Sequence, residues 1–251
     1  MTTLQHSAAP AVREPALGKP LLREPSLWAG AQVLLLGVLD GTAGLGPVGW
    51  VAGIAHAVAT ATLLGGALQR SATGLGPADR VTLGRGLLVG GVTALVADGS
   101  GATALLVALA AVALSLDFVD GRVARRTGTA SQLGARFDME VDAFLILVLS
   151  LHVALALGPW VLAIGVLRYA FVAASWGLTW LRAPLPPSRA RKVVAAVQGI
   201  VLVVAASGLA SLTGVLVGLA LGALVWSFGR DVARLRRDAA VRVVGRGVAR
   251  V

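Results

Sequence analysis

Four of the nine aspartates in this 251-residue chain fall within 26 residues, at Asp117, Asp120, Asp138 and Asp142. The members of each pair are three or four positions apart, so each pair shares one face of a helix. Long apolar runs flank the cluster, which places it where one membrane helix leaves the bilayer and the next enters. Carboxylates at such a boundary are costly unless something neutralises them. Antiparallel folding of the two helices predicts that all four converge. Anions that close repel one another and take up protons unless cations hold them ionised. Oxygen-only donors favour Mg²⁺, Mn²⁺ or Ca²⁺ over zinc. Two such ions, about 3.5–4 Å apart, would form a clamp suited to displacement at phosphorus. Gly121, Ala124 and Gly134 leave room for a ligand to approach the backbone, and Arg125 adds a planar cation that suits phosphate. The residues alone therefore specify a divalent-metal site for a phosphorylated ligand at a membrane surface.

The elements that must position these groups are membrane helices. The chain is 57% hydrophobic and only 14% charged, with a mean hydropathy of +0.83, the profile of a multi-span protein. It has no cysteine, which excludes disulfides and thiolate metal sites. A net charge of +10 suits an anionic membrane face better than nucleic acid, because the basic residues lie between apolar runs. Residues 1–25 read as a disordered cytosolic tail, with no cleavable signal peptide apparent. Spans are expected near 26–40, 48–68, 82–97, 102–124, 134–157, 159–181, 193–208 and 212–229. Residues 126–133, between the acidic pairs, hold a glycine and hydroxyl residues suited to a turn and an N-cap. Arginine or lysine occurs in the tail, near 70–85, at 122–136, at 182–192 and from 230 onward. The turns near 41–49, 98–101, 158–159 and 207–213 contain none. By the positive-inside rule both termini and the aspartate cluster face the cytosol.

The full pattern reads Asp-x2-Asp-Gly-x2-Ala-Arg-x8-Gly-x3-Asp-x3-Asp from Asp117 to Asp142, with all eight fixed positions present. It resembles the signature of the CDP-alcohol phosphotransferases, and bacterial phosphatidylglycerophosphate and phosphatidylinositol phosphate synthases in particular. Upstream, Thr82 and Arg85 match a second family element, whereas Asp79 stands where the family has asparagine. The resemblance covers about 75–235. It implies an all-α integral membrane fold with a six-helix core, here preceded by an extra N-terminal helix pair at 26–70 and followed by a basic segment at 236–251. It implies transfer of a phosphatidyl group from a CDP-linked donor, most simply CDP-diacylglycerol, to a polyol or polyol phosphate, with release of CMP. Asp117, Asp120, Asp138 and Asp142 would hold two Mg²⁺ or Mn²⁺ ions, and Asp142 would also act as general base. Thr82, Asp120, Gly121, Ala124, Arg125 and Gly134 would line the nucleotide pocket. Similar proteins are homodimers in bacterial cell membranes, with membrane lipids and no nucleic acid as partners.

Arg168, within the apolar run Val161 to Trp180, is the one basic residue that escapes the positive-inside pattern, and a charge inside a span must face a polar interior. The family suggests an acceptor-phosphate contact for it; an ion pair with one of the aspartates is the alternative. Arg189, Arg191 and Lys192 either bind an acceptor phosphate or anchor their loop at anionic headgroups. His56 and His152, alone in apolar runs, read as packing or hydrogen-bonded histidines, and the arginine-rich segment 230–250 as an interfacial amphipathic helix. Two other classes compete. A transporter would bury charge in several helices near the midplane and show related halves. A non-catalytic scaffold descended from the enzyme would have lost motif members. Neither feature is present in the sequence.

Overall fold

The computed structural model describes residues 23–70, 76–127, 132–186 and 188–248. Within these ranges the side chains of residues 23, 24, 67, 69, 70, 118, 120–127, 132, 133 and 241–248 lie outside the description. The tail expected at 1–25 falls outside it up to residue 22.

The described residues form eight α-helices in chain order: α1 Arg23–Ala43, α2 Pro47–Arg70, α3 Pro77–Asp98, α4 Thr103–Thr127, α5 Gln132–Leu157, α6 Leu162–Gly177, α7 Arg189–Ala206 and α8 Thr213–Val248. Single 3₁₀ turns, Pro159–Val161 and Thr179–Arg182, precede and follow α6. Among the described residues there is no strand. The expected architecture is therefore present: six helices from α3 onward, with α1 and α2 ahead of them. Six of the eight helices contain a stretch long and apolar enough to cross a membrane. The other two are α4, whose apolar run among the described residues is Thr103–Asp117, and α7, which opens with Arg189, Arg191 and Lys192. Such a chain is an integral membrane protein.

The core forms around α3. Its membrane stretch is 61% buried within the molecule, against 17% for those of α1, α6 and α8. Val89, Val92, Ala94 and Leu95 meet Leu36 and Leu39 of α1, Leu106 and Ala110 of α4, and Leu145 and Leu149 of α5. Outward apolar side chains, such as Leu155 on α5 and Trp176 on α6, are left for lipid. Small residues let the helices approach closely: a Cβ on Gly165 of α6 would lie 2.6 Å from Leu147 Cα of α5.

Helix ends follow local chemistry. Pro77 at the first helical position starts α3 five residues earlier than hydropathy suggests, since proline supplies the required φ and lacks an N–H that would be orphaned. Asp79 accepts the Gly76 N–H at 2.8 Å, satisfying a backbone donor at that end. At the other end Gly99 turns left-handed (φ 64°) and its N–H reaches Leu95 O. The far terminus differs from the hydropathy reading. The last span, expected to stop at 229, continues unbroken to Val248, absorbing much of the basic segment. Alanine and arginine favour helix, and no proline intervenes. At 1.5 Å per residue, 36 residues extend about 54 Å, well beyond a hydrocarbon layer of about 30 Å.

Candidate metal and phosphoryl-transfer site

The apolar run of α4 ends at Asp117, and the acidic end of α5 carries Asp138 and Asp142 one turn apart. The two helices meet through others: each packs on α3 and on α7. Two acidic faces in direct contact would repel, so a cation from a third helix is what lets them close. Arg85 of α3 supplies it. This side chain is fully buried, and its guanidinium reaches all three carboxylates. Nη1 donates to Asp117 Oδ1 at 2.8 Å. Nη2 lies 3.0 Å from Asp142 Oδ1, donates to the Asp138 carbonyl at 3.2 Å, and makes a charge-assisted bond to Asp138 Oδ1. A guanidinium is suited to this task because its donors are fixed in a planar fork and its charge is permanent. Taking it out of water is tolerable only with such pairing.

Asp117, Asp138 and Asp142 each present an oxygen such that all three lie within 4.8 Å of one another. Their side chains remain between 32% and 37% exposed, so solutes can reach them. Three carboxylates and one guanidinium sum to −2, a charge that a divalent cation would balance. A carboxylate has about four lone-pair sites, so accepting from Arg85 does not exhaust its capacity as a ligand. The donor set is oxygen alone, which fits Mg²⁺ or Mn²⁺. The residues fit the ion that the sequence calls for.

Asp120, Gly121, Ala124 and Arg125 occupy the last turns of α4, with side chains outside the described set; Gly134 lies in the first turn of α5. Thr82 is buried one turn before Arg85 and donates its hydroxyl to Ala78 O at 3.2 Å. Two of the remaining basic candidates, Arg168 and Arg191, have partners elsewhere. Arg168 pairs with Glu140 across the α5–α6 contact. Glu140 stands two residues from both Asp138 and Asp142, and at about 100° per residue it projects from the opposite side of α5. Arg191 bridges the loop to α8, with Nη1 at 3.3 Å from Asp231 Oδ2 and Nη2 donating to Pro186 O. Arg189 and Lys192 are exposed. His56 donates to the Gly86 carbonyl, a hydrogen-bonded histidine as its surroundings suggested, and it is not among the three-residue metal-ligand group.

Sequence reasoning missed two charged residues. Arg85 was legible only as the end of the Thr82-x2-Arg85 spacing, and Glu140 as an extra acid inside the Asp-x3-Asp interval. Neither signal says what the side chain touches.

A family model described as CDP-alcohol phosphatidyltransferase matches residues 77–226. The matched stretch begins with α3 and contains Arg85 and the three clustered carboxylates; α1 and α2 precede it. No curated protein and no solved structure matches the chain.

Proposed function

The chain belongs to the CDP-alcohol phosphatidyltransferase family, a class of transferases of substituted phosphate groups acting in phospholipid synthesis. From that premise we propose that it transfers a phosphatidyl group from CDP-diacylglycerol to the hydroxyl of a polyol or polyol phosphate. The observation that carries the proposal is the convergence of Asp117, Asp138 and Asp142 on one point. It lies at the end of α4's apolar run, where a lipid-linked donor and a soluble acceptor can both arrive.

In this reading Asp117, Asp138 and Asp142, with Asp120 from the same motif, hold Mg²⁺ or Mn²⁺. The ions supply neutralisation of the donor's diphosphate and of the charge on the departing phosphate. The chain's own groups do the rest. Asp142, kept ionised by the cations around it, accepts the proton of the acceptor hydroxyl. That oxygen forms a bond to the β-phosphorus as the bond to CMP breaks, and CMP departs with the electron pair. Arg85 holds the three carboxylates in a single geometry, so no side-chain reorganisation accompanies the reaction. Gly121, Ala124, Arg125, Gly134 and Thr82 border the nucleotide. The exposed basic loop residues Arg189 and Lys192 favour an anionic acceptor, whereas Arg168 and Arg191 are engaged by Glu140 and Asp231. The distribution of arginine and lysine supports a site open to the cytosol of a bacterial cell.

The test is CMP release from CDP-diacylglycerol by the purified protein, with Mg²⁺ or Mn²⁺, across a panel of acceptors. Release that needs one acceptor and stops on chelation is the expected result. Release that persists after exhaustive chelation overturns the metal assignment, and no release with any acceptor overturns the donor assignment.

A further inference from the structure

His56 lies on α2, outside the stretch that defines the family, yet it touches two of the three helices that build the site, α3 and α5. Its Nε2 is 2.9 Å from the carbonyl of Gly86, the residue that follows Arg85. A carbonyl can only accept, so this nitrogen carries the proton and the imidazole is the donor. The same ring stacks on Phe144, two residues beyond Asp142, with centroids 5.4 Å apart and planes at 27°. One side chain therefore bridges α2 to α3 by a hydrogen bond and to α5 by a ring face.

The surface of α3 explains why such a bridge matters. Gly86, Gly90 and Gly91 let neighbouring helices approach its backbone closely, and at these three positions no side chain of α3 contributes to its axial register. At Gly86 the nearest atom to a would-be Cβ is Val141 Cγ2 of α5, at 3.8 Å. Beside the apolar side chains that α3 and α5 share in the core, an imidazole from α2 spans the two helices at Gly86. Its neighbours hold it there. Gln32 of α1 lies over Gly90, where a Cβ would come within 2.5 Å of its amide. Gly49 of α2 brings a would-be Cβ to 3.0 Å from Ala94 O of α3. The N-terminal pair thus docks tightly on α3, directly behind the residue that gathers the three carboxylates.

We propose that His56 is a positioning residue: it fixes α3 against α5, and so fixes the reach of Arg85 to Asp138 and Asp142. The extra helix pair is then part of the apparatus that shapes the metal site, although it contributes no ligand. This rests on the reading of that site as a metal centre.

Manganese binding, followed by electron paramagnetic resonance on the full chain in lipid nanodiscs, tests the inference without substrate. His56→Ala removes the donor and the ring, His56→Phe keeps only the ring, and His56→Gln keeps only a donor. Residues that orient ligands from outside the coordination sphere typically change metal affinity 10–100-fold, so His56→Ala should weaken Mn²⁺ about tenfold. His56→Phe should weaken it by several-fold, and His56→Gln should restore it to within about twofold of the parent. The Mn²⁺ concentration for half-maximal CMP release should shift by the same factors, with KM for the donor unchanged. Should His56→Ala fail to fold, the comparison of His56→Phe with His56→Gln decides. Parent-like Mn²⁺ affinity in His56→Phe overturns the positioning role and leaves the proposed transferase chemistry intact. Failure of the parent protein to bind Mn²⁺ overturns the metal reading itself, and this inference with it.

Discussion

Arg85 is a permanent cation with no water around it, and three carboxylates share its donors. Lysine at this position would keep the charge but replace the planar fork with a single point, which cannot reach all three oxygens in fixed directions. Arg85→Lys should therefore lower CMP release by at least about tenfold while the protein still folds, as judged by thermal unfolding in detergent. Arg85→Ala leaves three like charges facing one another. Breaking a buried pair costs about 3–5 kcal/mol, and because the acids here stay about a third exposed, the loss should be nearer 1–3 kcal/mol. A fall in unfolding temperature that Mg²⁺ largely reverses is the expected signature. Asp142→Asn removes the proposed base and should reduce turnover about 10²–10⁴-fold with the fold unchanged, since it is one side chain at a polar surface. The aspartates were legible in the sequence because their spacing alone puts each pair on one helix face. The arginine was not, because its nearest partner in sequence lies 32 residues downstream, the other two lie farther, and no local period records a contact of that range.

At the scale of helices, the packing depends on where a Cβ is missing. Gly165→Leu would force α6 away from α5, because even the first carbon of the new side chain falls 2.6 Å from Leu147 Cα. Overpacking of this kind costs about 1–3 kcal/mol and should appear as a lower unfolding temperature. Gly218→Ala on α8 meets nothing within 4 Å and should instead stabilise by about 0.5–1 kcal/mol through helix propensity. The helices themselves could be read from hydropathy and from turn residues such as Gly99 and Pro159. Two boundaries could not. Hydropathy falls at Arg230, whereas the backbone helix of α8 continues through it to Val248, because what ends a span does not end a helix. The start of α3 was hidden for the same reason, since Pro77, Asp79 and Arg80 are polar or helix-starting residues outside the apolar run.

At the scale of the whole molecule, the orientation can be tested cleanly because the chain has no cysteine of its own. Ser188→Cys, in the basic loop before α7, should react with a membrane-impermeant maleimide only after cells are opened. Thr103→Cys, beside the arginine-free turn that follows α3, should react in intact cells. The reverse pattern would invert the topology and place the aspartates on the wrong side for soluble substrates. The buried guanidinium also has a history within the life of each molecule. Helices are made in order, and Arg85 is synthesised 32 residues before Asp117 and 53 before Asp138. At about 5–20 residues per second, roughly two to ten seconds pass before its counter-ions exist. An unpartnered arginine at mid-bilayer is disfavoured by about 2.5–3.5 kcal/mol on insertion scales. During that interval the newborn α3 must keep its charge near the membrane surface. Ahead of it stands the helix pair α1 and α2, already made, whose His56 precedes Gly86 by 30 residues. The earliest helices of the chain thus stand ready as a nursery for the one that carries the charge.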